Sequence, residues 1–215
     1  MRLKVVTIQV VFAISILAAA SSFFLQYQSR VVADRVFGNM TYLTNSPYVS
    51  VPKEVALVNG QYEWAYVSED DVYVSYDLQY GGCTVYGDFN HDGLKDAAAI
   101  IIENSGGNAD WYHLAFLIND GKQFVHKNSG VLDDRAVVNW VREKNGKVIV
   151  DLFVHQDGDC MAGPTHHVQR TFEYKEGNSL WLEGEQNSAK SFLDPAIYFL
   201  KDPTSWMYIF ERWKI

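Results

Sequence analysis

An apolar run opens the chain. From Val5 to Ala20 it is interrupted only by Thr7, Gln9 and Ser15, and the basic residues Arg2 and Lys4 precede it. Just beyond it, Val31, Val32, Arg35 and Val36 are spaced for one helical stripe, so a short helix is expected over Gln26–Phe37. The pattern then changes to short apolar and aromatic stretches separated by turn residues. Asn59-Gly60 separates Glu54–Val58 from Gln61–Tyr66, and such a pair supplies the positive φ angles of a tight hairpin. Val72–Leu78 is rich in β-branched and aromatic residues. Ala97–Ile102, inside Asp96–Glu103, is continuously apolar, as in a strand buried on both faces. Three more hairpins are expected, around 119–122, 143–146 and 175–178. The fold class is therefore mainly β, an antiparallel meander with hairpins, a short N-terminal helix and an aromatic-rich C-terminal appendage. An α+β arrangement is the alternative. No fixed repeat period runs through the strands, so a propeller or solenoid is not expected.

The ends divide the chain further. A basic start, an apolar run and the small residues Ala18-Ala19-Ala20 form an export signal, with cleavage expected after Ala20. The alternative is an uncleaved anchor over residues 5–25, whose 21 residues just suffice to cross a bilayer. The divisions are thus 1–20 as signal or anchor, 21–38 as an N-terminal segment, 39–183 as a β-rich domain and 184–215 as an aromatic segment. That last stretch holds Phe192, Tyr198, Phe199, Trp206, Tyr208, Phe210 and Trp213, cut by Pro195 and Pro203. Its expected role is to pack across the sheet, with an exposed partner-binding segment as the other reading.

The formal charge is −8, and losing Arg2 and Lys4 would make it −10. Such a surface does not suit nucleic acid, which needs basic patches to displace phosphate counterions. It suits cations. The two cysteines, Cys83 and Cys160, are a disulfide candidate in an exported chain, against the alternative of two buried thiols.

One segment carries recognisable chemistry. Asp88-Phe89-Asn90-His91-Asp92-Gly93-Leu94-Lys95-Asp96 places oxygen-bearing side chains at positions 1, 3, 5 and 9 and glycine at 6. Calcium takes six to eight oxygen ligands, and this spacing wraps a loop around one ion. The candidate ligands are the side chains of Asp88, Asn90, Asp92 and Asp96 and the carbonyl of Leu94, with Phe89 and His91 pointing away. Position 12 is Ala99, where an EF-hand has a bidentate glutamate, and strand rather than helix follows. The competing reading is a tight turn whose carboxylates cap backbone N–H groups.

The loop resembles the strand-flanked DxDxDGxxD calcium loops of FG-GAP and integrin-type repeats. The longer stretch Tyr86–Ala98, followed by Gly106-Gly107 and Tyr112–Ala115, resembles a group of uncharacterised bacterial exported proteins with a "GDLNGDGxxDAA" core. Further similarities over about residues 39–175 include Asp134–Val137, Pro164-Thr165 and Thr171–Tyr174. The resemblance implies an envelope or secreted location and a β-rich domain, and no reaction.

Two functions follow. The preferred one is a non-catalytic exported or periplasmic protein, stabilised by one calcium ion and binding a protein or polymer partner of the envelope. It meets the membrane only through its N-terminal segment, if that is uncleaved. The alternative is a metal-dependent hydrolase built on His155, His166 and His167 with Asp157 and Asp159. His166 and His167 are adjacent, so in a strand they face opposite sides. No phosphate loop, nucleophile elbow or zinc-hydrolase motif is present, and a polar loop bearing surface histidines is the simpler reading.

Overall fold

The computed structural model describes residues 2–44, 53–67, 71, 73–161, 163–177 and 181–187, and for 2–13, 26, 29 and 181–187 the backbone alone. The aromatic tail beyond Asn187 lies outside the described residues.

A helix, α1 (Arg2–Phe37), leads into eleven strands: β1 (Thr41–Leu43), β2 (Glu54–Ala56), β3 (Gln61–Val67), β4 (Tyr73–Gly87), β5 (Asp96–Asn104), β6 (Trp111–Asn119), β7 (Phe124–Asp134), β8 (Val137–Lys144), β9 (Lys147–Val154), β10 (His166–Glu173) and β11 (Trp181–Asn187). They form two antiparallel meanders. Strands β3 to β7 lie in sequence order in a five-stranded sheet, and β8 to β11 lie in order in a four-stranded one. Strands β1 and β2 pair only with each other within the described ladders. The mainly β, antiparallel class read from the hairpin spacing is the observed one.

The central strand β5 explains the layering. Ala98 and Ile100 face the second sheet, in a core with Phe89, Leu114, Phe116, Val148, Val150, Leu152, Val168 and Phe172. Ala97, Ala99 and Ile101 face the other way, in a core with Ala33, Phe37, Tyr42, Val55, Tyr76 and Leu78. The continuous apolar run Ala97–Ile102 is thus buried on both faces, as expected of such a strand.

Two expectations are corrected. The helix is not confined to Gln26–Phe37 but is continuous from Arg2, because no glycine or proline interrupts the chain before Gly38. Among its described side chains only the last turn docks: Ala33 and Phe37 are buried, while Ile14, Ile16, Leu17, Phe23, Phe24 and Leu25 are exposed on its surface. Among the residues described with their side chains, which in α1 begin at Ile14, no helix is long and apolar enough to cross a membrane.

The second correction concerns Asn59-Gly60. The turn forms, with φ of 53° and 88°, and Val58 bridges to Gln61. It does not join a hairpin ladder, because β2 pairs with β1 and β3 with β4. Its role is to close the C-terminus of α1. Gly60 N–H donates to Gly38 O at 2.7 Å, and Asn59 N–H donates to Asn39 Oδ1, whose amide in turn donates to Arg35 O. The approach is tight enough that a Cβ on Gly38 would stand 3.1 Å from Gly60 N and, within the helix end itself, 2.5 Å from Asp34 O. The hairpins β6–β7, β8–β9 and β10–β11 are present at the expected places.

Candidate metal centre

Residues 88–95 link β4 to β5 at one end of the two sheets, and Asp96 opens β5. Phe89 anchors the loop by burying its ring edge-on against Phe116, centroids 5.2 Å apart. His91 turns towards the β8–β9 turn, where a Cβ on Gly146 would meet its ring at 3.1 Å. Both side chains point away from the loop's interior, as the spacing predicts.

The oxygens of the loop are spoken for by its own backbone. Asp88 Oδ1 accepts Asp92 N–H and Oδ2 accepts Gly93 N–H, each at 3.1 Å. Asn90 Oδ1 accepts Asp92 N–H at 3.1 Å, and Asp92 Oδ1 accepts Leu94 N–H at 2.7 Å. Gly93 has φ of 86°, which turns its N–H inward at little steric cost. These side-chain-to-backbone bonds hold Asp88, Asn90 and Asp92 on one turn. Asn90 Nδ2 donates to Asp92 Oδ2 at 2.7 Å, so an amide hydrogen lies where a cation would bring two oxygens together.

Asp96 is different. Its carboxylate is wholly buried and accepts three backbone N–H groups: Phe89 at 2.8 Å, Asn90 at 3.3 Å and, from the last residue of β6, Asn119 at 2.9 Å. It ties the loop to the neighbouring hairpin. Among the described residues no group of three or more His, Cys, Asp or Glu side chains converges to hold a metal. The fit to calcium is therefore partial. Donor chemistry and loop closure suit a hard cation, but Asp96 is committed to N–H groups and Asn90 must turn its amide.

The histidine cluster does not assemble. His155 Nδ1 lies 3.1 Å from Asp133 Oδ2, at the far end of β7. His167 projects from the outer face of the second sheet, where its Nε2 meets Asp151 Oδ1 at 2.8 Å and its ring stacks on Phe153. His166 pairs with Val154 one register position away, on the opposite face. Asp157 is exposed. Asp159 caps its own loop, accepting the Thr165 hydroxyl and the N–H groups of Thr165 and Gln156, and the Thr165 hydroxyl first among them holds it below the usual carboxylate range.

The cysteine pair is also separate. Among the described residues no disulfide joins Cys83 to Cys160. Cys83 lies in a twice-shifted stretch of β4 with its side chain against the inter-sheet core, whereas Cys160 is exposed in the loop after β9.

Two polar centres escaped the sequence reading. Asp151, wholly buried in the middle of the Lys147–Val154 strand, gathers Asn139 Nδ2 and His167 Nε2 on one oxygen and Gln169 Nε2 on the other. A lone carboxylate in an apolar strand was its only sequence signal. His126, in β7, lies 2.7 Å from Ser129 Oγ through Nε2, a base-to-nucleophile distance. Its Nδ1, however, accepts Leu43 N–H at 2.9 Å, so the ring hydrogen is on Nε2 and the imidazole donates towards Ser129. It cannot take the hydroxyl's proton in that state. No family model, curated protein or solved structure matches the chain, so the geometry of these sites stands alone as the guide to function.

Proposed function

We propose that this chain is an exported, non-catalytic β-domain that binds a protein or polymer partner of the envelope and is steadied by one calcium ion in the loop 88–96. The observation that carries the reading is the convergence of Asp88, Asn90 and Asp92 on a single turn. An ion would add to oxygens the backbone already holds in place, with Leu94 offering its carbonyl. Asp96 would then act as the buried clamp that fixes the loop to Asn119 rather than as a full ligand.

With few ligands and no acidic residue at position 12, the site would be weak, with a dissociation constant on the order of 10⁻⁴–10⁻³ M, the range of extracellular calcium modules. Such a site fills only where calcium is millimolar, which agrees with export. The basic and apolar N-terminus would direct that export, with Ala20 the cleavage point or residues 5–25 retained as an anchor.

The test is titration calorimetry of calcium into chelator-stripped protein, beside a thermal melt with and without the ion. About one bound calcium and a higher melting temperature, both lost in Asp92→Ala, are expected. Absence of binding at 10 mM calcium would leave the loop as a hydrogen-bonded turn.

A further inference from the structure

His126 occupies a bulge in β7. Opposite it is Leu117, and opposite Phe116 is Asn128, so Lys127 is the extra residue. The bulge directs His126 to the α1, β1 and β2 side of the sheet, while the Asn128 amide donates towards Lys175 and Gly177 beyond β10. Strand β7 is the sheet's edge. Across that edge Leu43 N–H, from β1, donates to His126 Nδ1, and Nε2 lies 3.1 Å from Asn128 O and 2.7 Å from Ser129 Oγ. The ring stands 5.2 Å from that of Tyr42. An imidazole thus takes the place that a main-chain carbonyl holds between paired strands.

That substitution has a chemical consequence. A carbonyl accepts at any pH, whereas Nδ1 accepts only while it is unprotonated. We propose that His126 is an acid-released latch, whose protonation sets a second N–H against Leu43 N–H and frees the β1–β2 layer, with the helix end packed on it, from the sheet edge.

Among the described residues the groups facing the ring are the Tyr42 phenol from β1, His113 from β6, and the Ser129 hydroxyl and Asn128 carbonyl from β7. None is a carboxylate, so no anion among them would stabilise the imidazolium. The carboxylate of Glu103 lies beyond His113, 3.2 Å from its Nε2, and accepts from Ser105. Burial chiefly, and His113 to a lesser degree, hold the folded pKa near 4, against the opposing Asn128 carbonyl. The released ring regains the ordinary value of about 6.5, so opening becomes roughly 30-fold more favourable between pH 7.5 and pH 5. The latch does not depend on the calcium loop.

The experiment is amide hydrogen exchange of the full chain from pH 7.5 to pH 5, corrected for intrinsic exchange rates. Protection at Leu43 is expected to fall roughly 30-fold while Ile100 and Leu114 in the central sheet keep theirs. His126→Asn retains an acceptor near the position of Nδ1 but cannot titrate, so its Leu43 protection should be flat with pH. Equal pH dependence in both proteins would overturn the latch. So would unchanged protection in the wild type, or parallel loss throughout the sheet, which is global unfolding. If His126→Asn does not fold, an NMR titration of the wild type decides: His126 titrating near 6.5 with Leu43 still protected overturns the idea, and a depressed titration that coincides with loss of Leu43 protection supports it.

Discussion

The two faces of the β3–β7 sheet are packed by different chemistry. Towards the second sheet the buried side chains are Phe, Leu, Ile, Val and Ala, with Tyr112 and Tyr174 only at the margin. Towards α1 and the β1–β2 pair the core is aromatic and hydroxylated: Phe37 touches the rings of Tyr80, Tyr86 and Phe124, and Tyr42 and Tyr76 are fully buried. Each buried phenol must place a polar oxygen. Tyr42 donates to Phe37 O at 2.9 Å and Tyr80 bonds Thr84 at 2.6 Å, whereas the Tyr76 hydroxyl is buried without a hydrogen-bond partner among the described residues. An aliphatic core is held by burial and close packing, which are indifferent to pH. The tyrosine-rich core depends also on directional bonds, and a titratable group, His126, bridges β1 to β7. The first face makes the fold, and the second attaches the N-terminal layer to it.

The largest effects should come from the inter-sheet core. Phe116→Ala removes the ring that packs on Phe89 and Tyr174 and should cost about 3–5 kcal/mol in urea unfolding, with fluorescence and circular dichroism lost together. Phe37→Ala removes a side chain of similar size from the other face, so its gross cost is comparable at about 3–5 kcal/mol. The expected difference is in where the loss falls. Exchange should rise at Leu43 and Leu57 while Leu114 and Val150 stay protected. Uniform loss would show that the two faces form one cooperative unit and would end the distinction.

Acid should separate the faces next. The sign follows from the depressed pKa of His126: the unfolded chain binds the proton at higher pH than the folded one. Stability contributed by the neutral ring is present above about pH 6.5 and is lost as pH falls towards 4. A shift of that size corresponds to at most about 3 kcal/mol. Urea midpoints from pH 7.5 to pH 4 should show the loss in the wild type and a smaller slope in His126→Asn.

Much of this division was legible in the residues. Ala97–Ile102 announced a strand covered on both sides, and Asn145-Gly146 marked a hairpin because a two-residue turn largely fixes the strands it joins. Asn59-Gly60 misled for a physical reason. The pair dictates its own φ angles, but the partner of β2 is chosen by burial of Tyr42 and Val55 on the distant sheet. Asp151 and His126 were hidden because alternation treats a polar residue in a strand as solvated. Asp151 is held by Asn139 from β8 and by His167 and Gln169 from β10, whose side chains all turn to its carboxylate. The loop 88–96 was legible as a turn with calcium spacing. That Asp96 is consumed by three N–H groups could not be read, since Asn119 comes from another hairpin.

The smallest predicted effect bears on which face the metal serves. Phe89 belongs to the inter-sheet core, so an ion on the loop should stabilise that side and leave the β1–β2 layer unaffected. For a site with a dissociation constant of about 1 mM, 10 mM calcium adds about 1.4 kcal/mol by mass action. The wild-type urea midpoint should rise accordingly with calcium and not with magnesium, which resists shedding its waters. Asp92→Ala should abolish the rise at little cost without the ion, since it removes only the exposed Leu94 and Asn90 contacts. Asp96→Ala serves as the contrast, because it strands buried N–H groups and should destabilise the fold whether or not calcium is present. A calcium response that survives in Asp92→Ala would place the ion elsewhere and detach the loop from the metal altogether.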